Sequence, residues 1–230
     1  MSAQLVLNFE HRPALGGEDF LVAPCNREAV AWIDRWPDWP GPALFLQGPA
    51  GCGKSHLAQV FMGRTNAVTI TPAEMLEKDP PTLLAGAGAC LLDDLDQAFA
   101  GKDHDGLEVA LLHLYNTVRE GGATMMMTGQ STPARWPLHL ADLSSRLKTV
   151  SVAEIGPPDD ALMAAVLVKQ FADRQLKIED DVIAFVQLRI ERSFVALGQF
   201  VAATDKMALT EKRRITVPLV RRVLQELNEN

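Results

Sequence analysis

The stretch "ALFLQGPAGCGKSHLAQ", Ala43–Gln59, decides the fold. Ala43 to Gln47 is a short apolar run that reads as a buried strand. "GPAGCGKS", Gly48 to Ser55, matches G-x-x-x-x-G-K-[ST] in full, and "KSHLAQVFMG" continues as a helix. Each part has a physical purpose. The glycines let the loop wrap so that backbone N–H groups point inward at phosphate oxygens. The helix N-terminus adds partial positive charge. Lys54 is placed to neutralise the β/γ-phosphates, and Ser55 to ligate Mg²⁺. The phosphate cradle is therefore Gly48, Pro49, Ala50, Gly51, Cys52, Gly53, Lys54, Ser55 and the following His56.

A second element supports the first. "ACLLDDLD" is an apolar strand ending in Asp93, placed to hold Mg²⁺ directly or through water. Asp94 follows, at the position where many hydrolysing proteins with a similar phosphate loop carry a catalytic acid that orients water. Apolar-then-acid is common at strand ends, so this motif is weak alone and strong beside a phosphate loop.

Further apolar runs at Ala67–Thr71, Thr124–Thr128 and Leu147–Val152 are strand candidates, and helical patterns separate several of the strands. The clearest helix is "LEVALLHLYNTVREG", which stops at Gly121-Gly122. Before the phosphate loop, "NREAVAWIDRW" is helical and "WPDWPGP" ends it. Non-alternating apolar strands separated by helices mean a parallel sheet covered on both faces. At "IGPPDD" the pattern changes to helices only, with Pro157-Pro158 as a hinge and Asp159 or Asp160 as N-cap. The expected fold class is α/β: a P-loop NTPase sheet with helices on both faces, followed by a small all-helical lid. The expected boundaries are an extended peptide at 1–15, the nucleotide-binding domain at 16–156 and the lid at 157–230.

Composition bounds the function. Of 230 residues, 47% are hydrophobic and 22% charged, as in an ordinary globular chain. The formal net charge of -7 argues against a surface devoted to nucleic acid. Three cysteines, Cys25, Cys52 and Cys90, make no disulfide framework and lack metal-ligand spacing. No apolar run approaches a membrane span, and the N-terminus has neither a cationic n-region nor a long h-region. A cytoplasmic protein without a membrane partner is expected.

With these residues quoted, the chain resembles the AAA+ proteins, and within them the DnaA-related branch: the bacterial replication initiator DnaA and its shorter regulatory relative Hda. "DFLVAPCNREAVAWI" is similar to the family's first nucleotide box, with Val22 and Asn26 at the positions against the adenine. "TMMMTGQSTPARW" is similar to the sensor 1 strand, with Gln130 where the family has an acid. "LADLSSRLKTV" is similar to the box that supplies an arginine finger, with Arg146 at the finger; from bare sequence it reads as a surface arginine in an ion pair. "ERSFVALGQF" occupies the sensor 2 helix, with Val195 in place of the arginine that faces nucleotide and Arg192 one turn earlier. These departures imply a site that holds ADP or ATP with Mg²⁺ and hydrolyses weakly or not at all.

The resemblance also separates regulator from initiator. The sequence ends at Asn230 without a helix-turn-helix segment. The bridge Pro72–Gly88 carries one basic residue, Lys78, a poor surface for single-stranded DNA. "EKRR", Glu211 to Arg214, reads as a solvated helix end. "QLVLNF" is similar to the hexapeptide that docks bacterial proteins on the DNA polymerase III β sliding clamp, with Leu7 and Phe9 as anchors, Gln4 orienting and Leu5 alongside. The implied partners are DnaA and the clamp, with DNA reached mainly through the clamp; a homo-oligomer stays open. The implied function is stimulation of ATP hydrolysis on DnaA through Arg146. The competing readings are a DNA-engaging AAA+ ATPase, such as a helicase loader or truncated initiator, and a small-molecule kinase.

Overall fold

The computed structural model describes residues 10–13, 19–100, 104–211 and 213–229. The hexapeptide residues Gln4, Leu5, Leu7 and Phe9 lie outside the described residues. The described chain forms two compact units, one from Glu10 to Gly156 and one from Pro157 onward.

The first unit opens with an antiparallel ribbon of β1 (Glu10–Pro13) and β2 (Asp19–Val22), which the sequence did not announce as strands. Helix α1 (Arg27–Asp34) buries Ala29, Val30 and Ile33. Strand β3 (Ala43–Gln47) leads through the Gly-rich loop into α2 (Lys54–Thr65), which Asn66 ends in the left-handed region. Then come β4 (Val68–Thr69), α3 (Pro72–Glu77), α4 (Pro80–Leu84), β5 (Ala89–Leu92), α5 (Leu95–Ala98) and α6 (Asp105–Glu120). Strand β6 (Thr124–Gly129), a 3₁₀ turn at Pro133–Arg135, α7 (Ala141–Leu147) and β7 (Ser151–Glu154) complete the unit.

The sheet is five-stranded and parallel, in the order β4-β5-β6-β3-β7. Its inner strands β3, β5 and β6 are largely buried because both faces are covered. Phe45, Leu92, Met125 and Met127 face one core with Leu107, Leu111, Leu114 and Val118 of α6. Leu44, Leu46, Leu91 and Met126 face the other, with Ile33 of α1 and Leu57 and Phe61 of α2. Alternation along these inner strands thus divides apolar from apolar, and only the edge strands β4 and β7 carry exposed positions.

Two expected strands differ from the observed ones. The run Leu147–Val152 begins four residues too early: Leu147 is the buried last residue of α7, and β7 starts at Ser151. The run Ala67–Thr71 shortens to Val68–Thr69. Thr71 is instead the N-cap of α3, in a capping box where its hydroxyl accepts from Glu74 N–H and the Glu74 carboxylate accepts from Thr71 N–H.

The second unit is all helical: α8 (Asp160–Asp173), α9 (Asp180–Gln187), α10 (Phe194–Glu211) and α11 (Val217–Glu229). Of the two candidate caps, Asp159 is the N-cap of α8, accepting from Leu162 N–H at 2.8 Å. Ser193 does the same for α10, accepting from Ala196 N–H at 3.1 Å. Its core gathers Leu167, Val186, Leu197, Val220 and an edge-to-face pair, Phe171 and Phe200, with centroids 6.3 Å apart. Among the described residues no helix is long and apolar enough to cross a membrane.

Candidate nucleotide-binding site

Parallel pairing brings the C-terminal ends of β3, β5 and β6 to one edge of the sheet, with β6 between the other two. The Gly-rich loop leaves β3 there. Gly51 (φ 69°) and Gly53 (φ 102°) are left-handed, a conformation that turns the loop back on itself at little steric cost. Gly48 is required for a different reason: a Cβ there would come 2.5 Å from Cys52 Sγ and 2.6 Å from the Ile155 carbonyl oxygen. Pro49 and Ala50 are exposed at the loop tip, and Cys52 is buried beneath it. Burial pushes the Cys52 thiol up, and the nearby Lys54 charge only partly opposes this. It is therefore a packing group in its neutral form.

Lys54 is 6% exposed, and its ammonium donates to the carbonyls of Gly48 at 3.0 Å and Pro49 at 3.1 Å. The cation is thus held inside the loop by two backbone dipoles. The Ser55 hydroxyl donates to Asp93 Oδ2 at 3.2 Å, joining the start of α2 to the end of β5. These two hard oxygen donors, adjacent in space, suit Mg²⁺. The fit is good: Ser55 and Asp93 would hold the ion, which supplies charge neutralisation at phosphate oxygens. The loop N–H groups and Lys54 would hold the phosphates.

Thr128, fully buried at the end of β6, organises the acidic pair. Its hydroxyl donates to Asp93 Oδ1 at 2.5 Å and accepts from Asp94 N–H at 2.8 Å. Asp94 is left-handed (φ 47°, ψ 41°), a conformation that turns the chain from β5 directly into α5. Its carboxyl is raised, first by burial and then by repulsion from Asp93, with Lys54 opposing.

Asp96 is a second organiser. One oxygen accepts from the N–H groups of Gln130 at 2.9 Å and Ser131 at 3.1 Å, fixing the chain just past β6. The other oxygen is buried and has no hydrogen-bond partner among the described residues. It presses on Gly129, where a Cβ would lie 2.8 Å away. The Gln130 side chain is exposed, and the Gln130 backbone carbonyl accepts from the Gln47 side-chain amide at 3.4 Å. Thr128 and Asp96 were not singled out in the sequence. A threonine closing a methionine run was the available signal for the first.

Asn26 is buried, with both ends of its carboxamide engaged: Oδ1 accepts from Ala23 N–H at 2.8 Å and Nδ2 donates to the Leu21 carbonyl at 3.0 Å. It shapes the segment that presents half-buried Val22. The Gly156 N–H donates to the Cys25 carbonyl at 2.9 Å, tying this segment to the end of β7.

Arg146 lies in the last turn of α7. Its Nη2 donates to Asp142 Oδ2 at 3.1 Å, one turn earlier, and the side chain is 24% exposed. Its buried Nε has no hydrogen-bond partner among the described residues. In the helical unit, Arg192 pairs with Asp160 at 2.9 Å on the first turn of α8, and Val195 is 58% exposed. Glu211 pairs with Arg222 at 2.7 Å, so the end of α10 is an ion-paired helix terminus.

Residues 160–224 match the family described as Hda, lid domain. The whole chain is similar in structure to domain III of the replication initiation protein DnaA from Thermotoga maritima. That match has a TM-score of 0.78 at 18% identity, over 90% of this chain and 94% of that one. AMPPCP-bound DnaA from Aquifex aeolicus gives 0.68 at 16% identity, over 94% and 70%. The RuvB Holliday junction branch migration motor of Thermotoga maritima gives 0.64 at 17% identity, over 90% and 68%. The helical unit thus matches the Hda lid family, and the chain shares its fold with DnaA domain III and RuvB.

Proposed function

We propose that this chain is a negative regulator of replication initiation. Docked on the DNA-loaded sliding clamp through Gln4, Leu5, Leu7 and Phe9, it presents Arg146 to ATP bound on DnaA. The observation that carries the reading is the state of Arg146. It sits at the end of a short helix, restrained by one i,i+4 ion pair worth about 0.3–0.5 kcal/mol, with its Nε unsatisfied. A guanidinium so lightly held can extend to a neighbouring subunit. There it would stabilise the charge that spreads over the transferring phosphoryl group in a loose transition state.

The chain's own nucleotide then sets its conformation and turns over slowly. Gln130 and Val195 lack charge at the two sensor positions. ADP or ATP with Mg²⁺ would occupy Gly48–Ser55 and Asp93, with Val22 beside the base.

The test follows ADP formation on ATP-loaded DnaA mixed with clamp on DNA and either wild type or Arg146→Ala. Loss of an arginine finger lowers turnover by about 10³-fold or more, so stimulation should vanish. Equal stimulation by both proteins rejects the assignment. Tight binding of single-stranded DNA by the chain alone would favour a helicase-loader role instead.

A further inference from the structure

A cluster outside the nucleotide site joins two segments of the first unit. His104 immediately precedes α6, Asp105 opens that helix, Glu108 lies one turn along, and His139 comes from the segment before α7. One ligand atom from each of the four lies within 4.8 Å of the others. His139 Nδ1 is 2.8 Å from Asp105 Oδ1, and the rings of His104 and His139 stack with centroids 5.3 Å apart.

We propose that His104, Asp105, Glu108 and His139 form a binding site for a divalent transition-metal ion of the zinc type. Glu108 is 1% exposed, and each of its oxygens accepts one backbone N–H, from His139 at 2.9 Å and Leu140 at 2.6 Å. Each oxygen keeps a lone pair, and among the described residues no lysine or arginine pairs with the buried carboxylate. The second observation is His104 Nδ1. It is buried, 3.0 Å from Glu108 Oε1, and without a hydrogen-bond partner among the described residues. A nitrogen and a carboxylate oxygen at that distance attract only with a proton or a metal cation between them, and the geometry there makes no hydrogen bond.

The donor set supports the choice of ion. Two imidazoles with two carboxylates is the mixed nitrogen and oxygen set of zinc and its neighbours, and Mg²⁺ and Ca²⁺ favour oxygen alone. Two carboxylates balance a 2+ charge. Tetrahedral ligands at zinc distances lie roughly 3.4 Å apart, so donors within 4.8 Å need only side-chain adjustment. The exposed members, Asp105 and His139, have the freedom to make it. The bound ion would fix the start of α6 to the approach of α7. This inference does not depend on the arginine-finger reading.

The experiment titrates the chelator-stripped full chain with Zn²⁺, in excess Mg²⁺ to fill oxygen-only sites, against a chromophoric zinc chelator. One equivalent should bind, and Co²⁺ in its place should show the visible bands of four-coordinate cobalt. His139→Ala and Asp105→Asn, both at exposed positions, should weaken binding roughly 100-fold and tenfold or more. His113→Ala, at an exposed histidine on α6 outside the cluster, should leave it unchanged. Circular dichroism melts confirm that the variants fold. Absence of stoichiometric Zn²⁺ binding, or equal affinity in wild type and His139→Ala, overturns the site. So does loss of binding in Cys25→Ser with the histidine variants unaffected.

Discussion

The hydroxyl of Thr128 donates to Asp93 at 2.5 Å and accepts the N–H of Asp94 at 2.8 Å. A single side chain on β6 therefore orients both acids at the end of β5. Thr128→Val keeps the shape and removes both bonds, leaving the part-buried Asp94 N–H unsatisfied. Stability should fall by about 1–3 kcal/mol in urea denaturation, and Mg²⁺-dependent nucleotide affinity should fall with it. Thr128→Ser should restore most of both. Unchanged nucleotide affinity in the valine variant would show that Asp93 needs no such support.

Gly129 and Gly48 should tolerate no side chain, though neither has a positive φ. Their neighbours are an Asp96 oxygen at 2.8 Å and the Ile155 carbonyl oxygen at 2.6 Å from an added Cβ. Overpacking of this kind destabilises by about 1–3 kcal/mol. Gly122→Ala, with open space around its Cβ but φ 69°, separates backbone strain from steric clash. Thermal melts of the three variants would rank the two effects.

Asn26→Ala should destabilise the chain by about 1–3 kcal/mol, because the Ala23 N–H and the Leu21 carbonyl both lose their partner. Nucleotide affinity should fall as well, since the segment carrying Val22 loosens. Asn26→Asp keeps the acceptor and loses the donor, and should lie between the two in denaturant midpoint.

The capping box of α3 sets a pH dependence. Hydrogen bonds from Thr71 N–H, the Lys78 ammonium and the Thr71 hydroxyl hold the Glu74 carboxyl at about 2, below its ordinary 4.5. A depressed folded value means that this stabilisation is fully present above pH 4.5 and is lost as pH falls toward 2. A Glu74→Gln variant should lack that part of the acid transition. Superimposable acid-denaturation slopes would remove Glu74 from the account.

Asp142→Asn should leave stability within about 0.5 kcal/mol of wild type, because the pair with Arg146 is partly exposed. Under the proposed function it should preserve or raise stimulation of DnaA hydrolysis, since it releases the guanidinium. A variant that loses stimulation while folded would assign Asp142 its own part at the interface.

Much of this molecule could be read from its residues for identifiable reasons. The Gly48–Ser55 loop was legible because phosphate binding demands particular residue types at fixed spacing. The parallel sheet was legible because burial on both faces leaves apolar strands without alternation. The end of α7 was not, since Leu147 suits a buried strand and a buried helix terminus equally; pairing to β3 places the strand start at Ser151. Thr128 and Asp96 escaped notice because their roles arise between strands that are distant in sequence. His104, Asp105, Glu108 and His139 carry no motif spacing either, and meet only because α6 and the approach to α7 share one side of the sheet.

The left-handed backbone of Asp94 carries a consequence for engineering and selection. For most residues that conformation is unfavourable by about 1–2 kcal/mol, an amount that aspartate reduces and glycine removes. A library screened for thermal resistance alone would therefore drift toward Asp94→Gly. Its winners would fold well while lacking the carboxylate beside Asp93, so selection here must couple folding to a second readout that senses that carboxylate.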